Sequence, residues 1–409
     1  MYTKYNQNLN FIDKSKVFYL WGYLFLLFEG WSFRFFPSIA GDELLVVQYA
    51  YIAFGFFHWQ KNKHSLLTKQ NLYYFWWIVA GIALSMIPAN LYHNQSFSIS
   101  ITAYRAQYLW FFLPVLLRIA PSEQEIIKVC NIVLVFMWGV YLSRHFFPEF
   151  LIIQENMDLT AMKGKLDMGY VPGMTLAIFP LYYYFSKFKE TFDKRHLIGL
   201  ISAFAFLIVM SNRSNLFAVI IAIGAVYLFN KSRDKSFIIL FVVAFSVLAY
   251  ATTASYWDEL FAETIDQIND VDYNRNKAFT YFFYQANEHW LTNILGNGFL
   301  SFRASNTMAN LMEDGIYNSD MGFLGFWNQF GIIPIVAFIM IPFYAIKDYK
   351  IPLYLKLLGL HIWLCSYSTS YYGAAGHAII FIFVYYLLVY HRNMNGENIF
   401  SLKNLRCKQ

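Results

Sequence analysis

The sequence predicts an all-α membrane protein, a single transmembrane domain over residues 1–409 with about twelve spanning helices, and three observations carry that prediction. First, 58% of the residues are hydrophobic and only 14% charged, with a mean hydropathy of +0.39; a water-soluble domain carries about 25% charged residues. Second, the apolar residues are gathered into runs of about 20, the length that crosses a bilayer. Third, Lys and Arg sort by side. Counted over alternate connections, 22 of the 31 fall on one set and nine on the other, and the positive-inside rule places the richer set, with both termini, in the cytoplasm. The same composition excludes a soluble globular enzyme and a disordered chain. Three cysteines (Cys130, Cys365, Cys407) without CxxC spacing exclude a disulfide scaffold and argue against a zinc or redox site. The net charge of +6 lies mostly in short loops beside apolar runs, so it reports topology and no nucleic-acid partner is expected.

The expected spans follow in order. Residues 17–36 contain Glu29 and Arg34 and lack a small-residue cleavage site, so this run reads as a retained helix and not a signal peptide. Runs at 43–60, 71–91, 101–119 and 126–147 come next, then a polar external segment, 148–169. Spans at 170–186, 197–212 and 214–230 follow, the last two meeting in a tight turn at Ser211-Asn212-Arg213-Ser214. After a run at 236–253 comes an external segment, 254–319, far longer than a simple connection needs. In it Trp257, Leu260, Phe261, Ile265 and Ile268 recur at helical spacing with acids on the other face, and the stretch from Arg275 to Trp290 is aromatic nearly all round. A folded, helical external cap is expected. Spans at 320–346, 352–370 and 373–391 complete the chain. No internal repeat is visible, which argues against an inverted-repeat transporter. The cytoplasmic lysine clusters read as topology signals and contacts to lipid headgroups.

The nine external cations are the informative ones. Six are arginines, and Arg34, Arg105, Arg144 and Arg213 lie within or at the outer ends of apolar runs. An arginine inside a span costs about 2.5–3.5 kcal/mol on insertion scales and faces the bundle interior or a wet cavity. Its planar fork grips phosphate with two parallel bonds. Several at one depth would make a socket for a strongly anionic group at the outer membrane boundary, where a lipid-linked pyrophosphate sits. Arg34 and Arg144 read first as snorkelling to headgroups or pairing with acids such as Glu29. Arg213, held in the turn between two spans, reads as functional, and Arg105 stands open between the two readings.

Motifs for other chemistries are absent. There is no Walker loop, HExxH or nucleophile elbow. Gly296-Asn297-Gly298 does not follow a strand, Asp270-Val271-Asp272 reads as a solvated acidic loop, and His289, His361 and His377 are isolated histidines more often packed or hydrogen-bonded than ligating.

Three local patterns between about 205 and 345 carry a resemblance. They are Ser211-Asn212-Arg213-Ser214-Asn215 before an apolar span; Asn274-Arg275-Asn276-Lys277-Ala278 leading through Trp290 to Ile294-Leu295-Gly296-Asn297-Gly298-Phe299; and Asn318-Ser319-Asp320-Met321-Gly322-Phe323-Leu324 with Asn328-Gln329-Phe330-Gly331 beyond it. In their order and spacing the chain resembles the O-antigen polymerase/ligase family of bacterial surface-polysaccharide enzymes. The first half matches only in span count and hydropathy.

The resemblance implies a GT-C-like glycosyltransferase with a large external helical loop, working at the outer face of the bacterial inner membrane without metal, nucleotide or other cofactor. Its substrate would be an undecaprenyl-pyrophosphate-linked oligosaccharide, with membrane lipids and a chain-length regulator protein as partners. Family ligases carry a histidine eleven residues before the glycine that Gly331 matches; Asp320 stands there here, which resembles a polymerase more than a ligase. Arg213 and Arg275 are the expected stabilisers of the pyrophosphate leaving group, and Arg105 and Arg303 further pyrophosphate contacts. Asp320 is read evenly as general base or helix N-cap. The rivals are a ligase that hands finished glycan to an acceptor lipid or protein, and a non-enzymatic translocase of lipid-linked oligosaccharide.

Overall fold

The computed structural model describes residues 12–28, 41–147, 173–209, 213–229, 274–285, 289–301, 321–366 and 375–394, and among them the chain is all-helical with no strand. Helices α1 (Lys14–Leu27) and α2 (Gly41–His58) fall on the first two expected spans. The third is in two pieces, α3 (Tyr73–Leu84) and α4 (Met86–His93). The fourth is in three: α5 (Phe97–Ala103), a 3-10 stretch (Tyr104–Phe111) and α6 (Phe112–Ile119). Then come α7 (Glu123–Phe146), a 3-10 turn (Met174–Ala177), α8 (Ile178–Thr191), α9 (Lys194–Val209) and α10 (Arg213–Phe229). In the expected cap, α11 (Asn274–Thr280) runs into a π turn (Tyr281–Gln285), and α12 (Trp290–Leu295) follows. The tenth expected span is broken at Gly331 into α13 (Gly322–Phe330) and α14 (Ile332–Lys347), with α15 (Leu353–Cys365) and α16 (Ala375–Met394) beyond. Two stretches, Tyr73–His93 and Glu123–Ser143, are long and apolar enough to cross a membrane; Leu44–His58, Gln107–Ile119, Ser214–Ala225, Ile332–Lys347 and Leu353–Cys365 are apolar but shorter.

The expected ninth span, the segment 148–169 and the amphipathic stretch from Trp257 to Ile268 lie outside the described residues. The single helix expected from Arg275 to Trp290 is instead two pieces. The π turn departs from the α repeat, and His289 is extended (φ −107, ψ 139), which ends any continuous helix before Trp290. Trp290 is 71% exposed, while Ala278 and Phe282 of the same stretch are buried.

The chain divides into two compact units. One comprises Met1–Leu72, Tyr108–Ser211 and Tyr385–Gln409. Here α1 packs on α7 and α2, α2 on α6, and α8 along α9. Aromatic stacking carries much of the contact: Tyr23 lies on Phe112 at 3.8 Å and Tyr19 on Tyr51 at 4.8 Å. One carboxylate serves two helix starts. Glu125 accepts from the Ser122 amide in the α7 capping box and from the Asp13 amide at the start of α1, both at 2.7 Å, while Asp13 itself accepts from the Ser15 amide at 2.9 Å. Helix starts expose amides without intrahelical partners, and these bonds supply partners to them.

The other unit comprises Tyr73–Gln107 and Asn212–Val384. Here α14 packs along both α15 and α3, and α10 along α15. Phe338 of α14 sits edge-on to Phe326 of α13 at 4.7 Å and to Phe381 of α16 at 4.9 Å.

Candidate functional site

The second unit holds the helix positions of three of the five arginine and aspartate candidates. Arg213 is the first residue of α10, Arg275 the second of α11, and Arg105, partly buried, the second of the 3-10 stretch. Asp320 and Arg303 lie outside the described residues, as do Arg34 and the fold of the Ser211-Asn212 turn.

The start of α10 is docked on the end of α15. Asn215 is buried, and its Oδ1 lies 3.1 Å from His361 Nε2. Cys365 Sγ lies 3.4 Å from the Ser214 carbonyl and 3.4 Å from Asn215 Oδ1. His361 and Cys365 stand four residues apart on α15 and therefore on one face. One residue past that helix the Ser366 carbonyl accepts the amide of Phe323 at 2.8 Å, in the first turn of α13. The cap position of α13 is Met321, which makes no side-chain cap bond, so the orphan amide is satisfied by Ser366 instead. Met321 in turn packs with Ala278 and Phe282 of the α11–π segment, flanked by Tyr281 and Leu324. Arg275 occupies the position one turn before Ala278 in that helix. The start of α10 and the start of α13 thus both meet the end of α15, and the segment that follows Arg275 packs on that same start of α13.

A second polar cluster lies at the other end of α13, nine residues or about 13 Å along the helix axis. There the amides of Asn297 and Gly298 donate to the carbonyls of Asn328 (2.6 Å) and Gln329 (2.9 Å), which the break at Gly331 leaves without helical partners. The two strands of chain touch backbone to backbone. Gly296 (φ 82) and Gly331 (φ 71) permit this, since a Cβ on Gly331 would stand 2.1 Å from the Ile294 carbonyl oxygen and one on Gly296 2.4 Å from that of Gln329. Side chains from the broken third and fourth segments complete the stitching. Gln95 Oε1 accepts from the Ser301 amide at 2.7 Å and its Nε2 donates to the Phe299 carbonyl at 3.1 Å. His93 Nε2 pairs with Asn297 Oδ1 at 3.0 Å, and the Tyr104 hydroxyl accepts from the Phe299 amide at 2.8 Å. Arg105 follows Tyr104 directly in the 3-10 stretch, and the 297–301 segment so anchored runs on in sequence towards Arg303.

Among the described residues no group of three or more His, Cys, Asp or Glu side chains is placed to hold a metal ion. Sequence reasoning assigned no role to Gln95, Tyr104, Asn328 or Cys365, and read His361 as a packed or hydrogen-bonded histidine without naming its partner. Polar residues inside apolar runs were the available signal, since such residues are costly there without partners. Compared with protein-family models, curated proteins and solved structures, the chain finds no match.

Proposed function

We propose that this chain is a glycosyltransferase of the bacterial inner membrane that polymerises lipid-linked repeat units. It moves a growing glycan from undecaprenyl pyrophosphate onto the non-reducing end of an incoming undecaprenyl-pyrophosphate-linked repeat at the outer face. On this reading the chain is GT-C-like, with twelve spans and both termini cytoplasmic.

The pairing of helix ends supports the topology independently of the charge count. In the first unit Asp13, the Asn62–Asn71 loop, Pro121, Glu123, Glu125, Tyr386 and His391 are joined by hydrogen bonds or ion pairs, and all lie at ends or loops that alternate crossing puts in the cytoplasm. In the second unit the start of α10, the start of α13 and the end of α15 meet, and alternate crossing puts all three outside.

The observation that carries the reading is that the starts of α10 and α13 are held on one end of α15 while the segment after Arg275 packs on the same start of α13. The irregular backbone beside it adds support, because non-helical chain at membrane depth is tolerated only where protein buries it or it lines a wet cavity. The chemistry this placement serves is simple. The acceptor hydroxyl oxygen attacks the anomeric carbon, the bond from that carbon to pyrophosphate breaks, and the electron pair leaves with the lipid pyrophosphate. Asp320 takes the hydroxyl proton, and Arg213 and Arg275 stabilise the charge that develops on the leaving group. Back-side attack inverts the anomeric configuration.

The test is purified full-length protein in detergent with a single lipid-linked repeat unit. Wild type makes longer glycan on its lipid carrier; Arg213→Ala and Arg275→Ala make none while eluting as wild type does. Normal chain length from both variants ends the assignment.

A further inference from the structure

We propose that His361 and Cys365 are positioning residues for Arg213, a role that rests on the reading of Arg213 given above. As the first residue of α10, Arg213 stands where a helix frays and where its own amide has no intrahelical partner. The restraint on it comes from the next two residues. Asn215 Oδ1 only accepts, so His361 Nε2 carries the proton and donates across 3.1 Å. The Cys365 thiol then donates towards the Ser214 carbonyl or Asn215 Oδ1, both at 3.4 Å. Two successive turns of α15 therefore grip two successive residues of α10.

Stability alone does not account for a histidine here. His361 is fully buried beside Leu357, Leu358 and Ile362 of its own helix, and a leucine would fill similar space without desolvating an imidazole. Hydrogen bonds between buried polar groups set which rotation and which axial register two helices adopt. A slip of one helical turn would carry the start of α10 about 5.4 Å along its neighbour, a displacement comparable to the reach of an arginine side chain. The same end of α15 holds the start of α13 through Ser366. The latch thus registers Arg213 against the element that also positions the Asp320 stretch, which is the alignment that joint action on one pyrophosphate requires. Burial keeps both side chains from substrate, so neither is a catalytic residue.

The discriminating variants are His361→Gln, whose amide nitrogen falls near the place of Nε2, and His361→Leu and His361→Asn, which put no donor there. With full-length protein and a single lipid-linked repeat in detergent, Leu and Asn should each lower kcat about tenfold with KM within about twofold, and Gln should restore at least about half of kcat. Hydrogen exchange of the amides at 214–218 should quicken in the Leu and Asn variants and not in Gln. In an Arg213→Lys background His361→Leu should cost less than about twofold, because residues acting through one group are not additive. Normal turnover by His361→Leu alongside an inactive Arg213→Ala overturns this proposal alone. An equal loss in the wild-type and Arg213→Lys backgrounds does so too, because it assigns His361 a general structural role. Normal polymer from Arg213→Ala removes the role of Arg213 and this proposal with it, and normal polymer from Arg275→Ala as well overturns the functional reading.

Discussion

The Tyr104 hydroxyl and the Phe299 amide are 2.8 Å apart, joining residues 195 positions apart in the chain. The same hydroxyl shares a proton with Ser85 Oγ at 2.6 Å, and its ring lies edge-on to Phe330 at 5.7 Å. One buried side chain therefore ties together the junction of α3 and α4, the 3-10 stretch, the 297–301 segment and the end of α13.

Tyr104→Phe separates the bond from the packing. The ring contacts persist, but the Phe299 amide and the Ser85 hydroxyl lose a buried partner. A stranded buried donor costs about 1–3 kcal/mol, so the variant should unfold at lower temperature in detergent. Ser85→Ala should cost less, because it leaves the Phe299 bond in place. Equal melting of Tyr104→Phe and wild type would deny the bond a role.

The glycines offer a sharper contrast. Gly331 has φ 71 and no room for a Cβ, while nothing stands within 4 Å of the Cβ position at Gly139 in α7. Gly331→Ala should prevent accumulation of monodisperse protein on size exclusion. Gly139→Ala should be neutral or stabilising by about 0.5–1 kcal/mol, the usual gain from replacing glycine inside a helix. A monodisperse Gly331→Ala protein would mean that the contact between the Ile294 carbonyl and Gly331 is not a feature of the fold.

These residues also mark where sequence reading stopped. The helices were legible because apolar runs of about 20 residues admit little else. Their breaks were not, because Ser85, Arg105 and Gln107 of the fourth run, and Gly331 each leave a stretch long enough to read as one span. What breaks them is distant: Asn297 and Gly298 take the carbonyls of Asn328 and Gln329, and Gln95 takes the Ser301 amide. Glycine at 331 signalled a break only in company with Gly296, 35 positions away. The resemblance implied that Arg213, Arg275 and Asp320 serve one site, yet the hydrogen bonds that hold the start of α10 on the end of α15 were not foreseen. His361 and Asn215 are separated by 146 residues, and an isolated histidine in an apolar run carries no mark of its partner.

The arrangement of helix ends makes a prediction about sidedness that needs no substrate. Asn94 is exposed in the connection between α4 and α5, which alternate crossing puts outside, and Lys63 is exposed in the loop after α2, assigned to the cytoplasm. Cys130 and Cys365 are buried, so they contribute little background once Cys407 is replaced by serine. In intact spheroplasts a membrane-impermeant maleimide should label Asn94→Cys and spare Lys63→Cys, and detergent should expose both. The reverse pattern would put the Arg213 end of α10 in the cytoplasm. A transferase acting on outward-facing lipid carriers would then have its arginines on the wrong side, whatever their geometry.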